Sequence, residues 1–148
     1  NALVGKPAFC LGAVVTPGSD PVDLQLIKMR KKVDAGAAFF QTQAVFDAES
    51  FARFMDQAKL FGVPVMAGII LLKSAGMARF MNQNIAGVHV PEGLIDEMAA
   101  TSKEDRPAKS VEIAARVVRE VKDVCQGVHI MPLGWESQVP AVLDAAGL

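Results

Sequence analysis

"DAGAAFFQTQAVFDAES", residues 34–50, contains the end of one element, the whole of a second and the start of a third. A helical pattern over 21–33 stops at the Gly-containing "DAGA", a natural C-cap. The bulky apolar run over 38–45 that follows reads as a strand buried on both faces. Asp47 then stands where an N-cap carboxylate would open a helix over 47–61. Phe51, Phe54, Met55, Ala58 and Phe61 form its apolar face and Gly62 ends it. Helix, strand and helix in direct succession predict parallel strands joined by right-handed crossovers.

Working outward, three more apolar runs bounded by turn residues read as strands of the same kind: "FCLGAVV" (9–15), "PVMAGIILL" (64–72) and "GVHIMPLG" (127–134). Leu24, Ile27 and Lys28 carry the helical spacing of 21–33. Further helices are expected over 77–84, 92–99, 108–124 and 140–145. Strands alternating with helices in units of about 37 residues match the repeat of a TIM barrel, which needs eight units in about 250 residues. The expected fold is therefore α/β: parallel βα units forming half of a (β/α)8 barrel, with residues 1–148 one domain or fragment. A half barrel leaves open edges and an unburied face, so a partner half is expected. The alternative architecture is an open flavodoxin-like sheet. The strand-like run begins within about eight residues of Asn1, as expected for the interior of a longer protein.

Gln41 and Gln43 share one face of a strand by its period of two, and an unpaired buried amide costs on the order of a few kcal/mol. That face should be a polar pocket, a water-lined cavity or a ligand site. Parallel α/β sheets bind ligands at the carboxyl ends of their strands, which directs attention to residues 16–20, 43–47, 71–74 and 132–136. Gln43, at a strand end, either bonds a neighbouring strand or core water, or aims a donor and acceptor at a pterin-like ligand. The cluster Lys28, Arg30, Lys31 and Lys32 either complements a helix dipole or binds phosphate. Trp135 is core or a stacking surface for a flat ligand. His89 and His129 read as satisfied structural histidines.

Composition excludes whole classes. The 15 basic and 16 acidic residues are spread along the chain, without the cationic footprint of a nucleic-acid binder. Cys10 and Cys125 are the two cysteines, lack zinc spacing, and read as reduced and buried, so no metal is expected. No run approaches the roughly 18 apolar residues of a membrane span, and no signal peptide is visible. The expectation is a soluble, cytoplasmic protein. Neither a Gly-rich phosphate loop nor a Ser/His/Asp arrangement appears, so no self-contained catalytic unit is expected.

The order of motifs adds a resemblance. "KKVDAGAAFFQTQAVFD" (31–47) resembles the methylenetetrahydrofolate reductase segment that runs K-V-x-A-G-A, then T-Q, two residues, F and D or E. "VPVMAGIILL" is similar to that family's P-I-x-P-G-I-x-P strand, and "GVHIMPLGWE" with "AVLDAAGL" to its terminal G-x-H strand and closing helix. The resemblance implies the fifth to eighth units of a flavin-dependent TIM barrel. Its reaction passes hydride from NAD(P)H through FAD or FMN to 5,10-methylenetetrahydrofolate. It implies that Gln43, Leu133 and Trp135 line the folate subsite. Lys32 falls on a lysine near the flavin phosphates; Lys31, Lys28, Gln25, Thr16 and Asp20 fall on other cofactor-binding positions. Of these, Thr16 and Asp20 replace an aromatic and a histidine, Gln25 and Lys28 stand for Asp and Asn, Lys31 for Arg, Trp135 for an arginine and Ala75 for a covering aromatic. The family's general-acid glutamate and flavin-tuning aspartate belong to the first barrel half, so no catalytic residue is expected in this one. The implied partners are folate, the N-terminal half of the barrel, and an oligomer or reductase complex. Two other functions fit the residues: a non-catalytic half-barrel subunit of a reductase complex, and a pterin-binding TIM-barrel methyltransferase.

Overall fold

The strands predicted around 34–50 all form, and they pair in parallel. A computed structural model describes Gly5 and residues 8–148. Its elements run β1 (Gly12–Val15), α1 (Val22–Asp34), β2 (Phe39–Ala44), α2 (Ala48–Ala58) with a 3₁₀ turn (Lys59–Phe61), β3 (Val65–Ile70), α3 (Ala75–Asn84), α4 (Glu92–Ala100), α5 (Arg106–Val121), β4 (Gly127–Met131), a second 3₁₀ turn (Glu136–Gln138) and α6 (Val139–Ala146). The sheet has four strands in the order β1-β2-β3-β4, every neighbour parallel.

Local chemistry sets the element ends. The Asp47 carboxylate accepts from the Ser50 N–H at 3.0 Å at the start of α2, and the Ser74 hydroxyl accepts from the Met77 N–H at 3.1 Å at the start of α3. Gly62, at φ +68°, takes the left-handed turn after the first 3₁₀ segment, where a Cβ would be strained.

One sheet face packs on helices. Val15, Phe40, Val65, Ala67 and Ile69 are buried with Met29 of α1, Phe51 and Met55 of α2, and Val118 and Val121 of α5. A second cluster joins α3 and α4 to Ala44, Phe46 and Leu72, which lie at the carboxyl ends of β2 and β3. The opposite face carries Val14, Gln41, Met66 and Gly127 in register, flanked by Phe39 and His129. None of these six is buried, and Val14 is 63% exposed.

Several expectations are corrected here. The strands are not all buried on both faces: no residue of β4 is fully buried, and Phe9 and Leu11 precede β1 and are exposed. The reason is that one sheet face lacks a covering layer among the described residues. In α1 the buried residues are Leu26 and Met29, while Leu24 and Ile27 point outward. The true stripe is Val22, Leu26, Met29 and Val33, spaced four, three and four. Cys10 is exposed, and only Cys125 is buried, with its thiol between the Val121 and Gly127 carbonyls. Helix α5 ends at Val121, short of residue 124.

Candidate ligand site

The carboxyl end of β2 is shaped by an irregularity that the alternation rule does not foresee. Gln41 pairs with Met66, but Ala44 pairs with Gly68, so three steps along β2 match two along β3. The extra residue makes a β-bulge. Thr42 holds it: its hydroxyl accepts from the Gly68 N–H at 2.9 Å and donates to the Gln43 carbonyl at 2.7 Å. The Gly68 carbonyl accepts from the Val45 N–H at 2.9 Å. A Cβ on Gly68 would lie 2.5 Å from the Thr42 carbonyl oxygen and 3.0 Å from that of Gln43, so β2 bends onto β3 through a space that only glycine leaves open.

Gln43 therefore sits in the bulge with its side chain exposed, and Gln41 is half-buried. The expected buried amides are thus corrected: the open sheet face leaves both in contact with solvent. Neither side chain hydrogen-bonds another described residue, which leaves the Gln43 amide available to a ligand.

At the ends of β3 and β4 a second group assembles. The Lys73 ammonium donates to the Leu133 carbonyl and lies over the Trp135 ring, 5.3 Å from its centroid. Leu133 has φ +54° and is exposed; a non-glycine residue in that region stores about 1 kcal/mol or more of strain. Gly134 follows at φ +95° and its N–H donates to the Glu136 carboxylate at 2.9 Å. The Glu136 carboxyl is held below the usual carboxylate range by its own backbone N–H, then by that of Gly134, with Lys73 adding attraction. This lowered value means that the turn gains stability from Glu136 above the ordinary glutamate range and loses it as pH falls through the lowered midpoint. Lys73→Met should raise the Glu136 titration midpoint, followed by carboxyl-carbon NMR.

Residues expected to meet a cofactor lie on α1 and the β1 loop. Gln25, Lys28 and Lys32 are spaced three and four and share one helical stripe, with Lys31 beside it. Lys28 and Lys31 are exposed and Gln25 is half-buried. The Lys32 ammonium donates to the Val14 carbonyl at 2.6 Å. Phe40 directs its N–H to Pro64 of the β3 side, so Gln41 addresses β1, where it stands opposite Val14. In a parallel ladder it bonds the residues flanking Val14. The Val14 carbonyl thus belongs to the free edge of the sheet, and Lys32 caps it. Among the described residues, Lys28, Lys31 and Lys32 form no ion pair.

Thr16 is half-buried and its carbonyl accepts from the Ser19 N–H; Asp20 is exposed. Pro17 and Gly18 join Ala44, Asp47, Ser50, Gly87 and His89 around a cleft of about 130 Å³. His89 is exposed and His129 half-buried; neither imidazole bonds a described residue, so the satisfied-histidine expectation fails. Sequence reasoning missed Lys73, Thr42 and Gly68. An isolated glycine within the apolar run 64–72 was the available signal for the bulge.

The sequence pattern of methylenetetrahydrofolate reductases matches residues 8–147. The chain belongs to the methylenetetrahydrofolate reductase family. It is similar to methylenetetrahydrofolate reductases 1 and 2 of Schizosaccharomyces pombe, at 24% and 25% identity over 95% of this chain, covering 24% and 25% of those proteins. A probable NADPH enzyme of the family from Caenorhabditis elegans is 24% identical over 98% of this chain and 22% of its own length. The chain thus spans about a quarter of these relatives. Its fold is similar to that of a Clostridium thermocellum protein that binds two copies of 5-methyl-5,6,7,8-tetrahydrofolic acid. The TM-score is 0.68 at 19% identity, over 92% of this chain and 52% of that one.

Proposed function

We propose that this chain forms the C-terminal half of a methylenetetrahydrofolate reductase barrel and supplies one wall of its folate and flavin pocket. The observation that carries the reading is Gln43, exposed and hydrogen-bonded through its side chain to none of the described residues, at the carboxyl end of β2 in a chain of this family. Its amide offers two donors and an acceptor to the amide edge of a pterin. Leu133, exposed just past the outer strand β4, would add apolar surface to the pocket, whereas Trp135 is half-buried against the helix-side core and would offer only its uncovered part.

The half-barrel architecture draws support from strand order. The sheet runs in chain order with no reversal, as a barrel does, whereas a doubly wound sheet has a switch point. Among the described residues, strands β1 and β4 each pair on one side only, and the face bearing Val14 is uncovered. A second half, in the same parent chain or in a partner, would close both edges and that face. The half alone should be inactive, because donor, flavin and acceptor must stack at contact distance between two sets of walls.

The residues fit a phosphate-bearing flavin, FAD or FMN: the α1 stripe offers Gln25 and the ammonium groups of Lys28, Lys31 and Lys32, with Thr16 and Asp20 on the neighbouring loop. Bound there, the flavin would relay hydride from NAD(P)H to 5,10-methylenetetrahydrofolate. This chain's part is to hold and orient. The lysines neutralise phosphate charge, and Gln43 fixes the pterin.

In the complete enzyme, Gln43→Ala should lower kcat/KM for methylenetetrahydrofolate by about 1–3 kcal/mol in transition-state terms, with flavin absorbance of the purified protein unchanged. Kinetics equal to wild type would remove Gln43 from the site. A parent protein that carries no flavin would favour the pterin methyltransferase reading instead.

A further inference from the structure

We propose that Thr42 is a positioning residue for Gln43, its hydroxyl fixing the bulge that presents the glutamine amide at the end of the sheet. The ligand side of this inference rests on Gln43 as a folate contact; the mechanical side does not. Thr42 is 5% exposed and uses its hydroxyl twice, accepting from the Gly68 N–H and donating to the Gln43 carbonyl. The second bond fixes the peptide plane that follows Gln43, and with it the direction in which the chain leaves the bulge.

Register shows what this prevents. Extending the Gln41–Met66 pairing without interruption would place Gln43 opposite Gly68, the position Ala44 holds. Each residue after the bulge would then move by one place, and a shift of one residue exchanges the faces of a strand. Ala44, Val45 and Phe46 are buried in the observed register, so that slip is costly; yet without the hydroxyl the Gly68 N–H loses its acceptor at the bulge. The side chain replaces the backbone partner that the bulge removes. A threonine is suited to this, because its methyl packs as valine would while its oxygen both donates and accepts.

The test compares Thr42→Val, Thr42→Ser and Gln43→Ala in the full-length protein. Amide hydrogen exchange without ligand comes first: Thr42→Val should speed exchange at Gly68 about tenfold or more, and Thr42→Ser should stay near wild type. In titrations with 5-methyltetrahydrofolate, Thr42→Val should weaken binding about tenfold, serine should restore it, and the Thr42→Val/Gln43→Ala double variant should bind no more weakly than Gln43→Ala alone. Unchanged exchange at Gly68, or losses that simply add in the double variant, would overturn the proposal. So would a valine variant that fails to fold beside a folded serine variant, since the hydroxyl would then serve the whole fold. Absence of folate binding by the wild-type protein would sink the folate reading of Gln43, while the exchange result would still decide whether Thr42 sets the bulge.

Discussion

Phe40→Ala is expected to destabilise the chain by about 3–5 kcal/mol, the usual cost of emptying a buried phenylalanine site. Phe40 is 0% exposed and stands at the centre of the helix-covered sheet face, in register with Ala13 and Val65. Helices α1, α2 and α5 all contribute to the cluster that surrounds it, so no single element can move to fill the void. Its neighbour provides the control. The Phe39 ring lies across Gly12 on the other face, where a Cβ at Gly12 would approach it to 2.3 Å, and it is only half-buried. Phe39→Ala should therefore cost about 1–2 kcal/mol, in proportion to the smaller area it covers. Urea denaturation of both variants measures the difference. Equal losses would mean that the two sheet faces are equally covered in the isolated chain, against the exposure of Val14 and Met66.

This contrast also shows why some of the architecture was legible in sequence and some was not. The βα order follows from apolar runs punctuated by Gly36, Asp47 and Gly62, signals that act within a few residues and need no tertiary context. Which face of α1 is buried could not be fixed that way. Leu24 and Ile27 match Leu26 and Met29 in hydrophobicity, and only packing against the sheet chooses between the two stripes. Strand runs rich in apolar residues likewise predicted burial on both sides, but among the described residues one side carries no covering layer.

The site divides along the same line. Gln43 could be singled out because an amide inside an apolar strand run is locally anomalous, although the structure leaves it exposed where the run predicted burial. Lys73 could not, since its meaning comes from Trp135 and Leu133, about sixty residues away in sequence. The Thr42 hydroxyl was hidden for a further reason. Threonine is an ordinary strand residue, and only the mismatch of register between β2 and β3 turns its oxygen into a substitute for backbone.

Gly68→Ala tests that mismatch from the opposite strand, and it is expected to cost about 2–4 kcal/mol. The added methyl would sit 2.5 Å from the Thr42 carbonyl oxygen, with the Gln43 carbonyl and the Met131 methyl each at 3.0 Å. Met131 can swing away, but two backbone carbonyls cannot move without opening the bulge. Overpacking of this kind costs about 1–3 kcal/mol, and loss of the Thr42–Gly68 hydrogen bond adds about 1 kcal/mol. Gly93→Ala, in α4 with nothing within 4 Å of the new methyl, should instead be neutral or stabilising by up to about 1 kcal/mol, because alanine favours helix. Thermal unfolding of both variants, with amide exchange at Gly68 and Val45, separates a general glycine effect from the specific one. If Gly68→Ala were as stable as wild type with its exchange unchanged, the close approach of β2 to β3 would be wrong, and with it the reason that Gln43 rather than Ala44 meets the open end of the sheet.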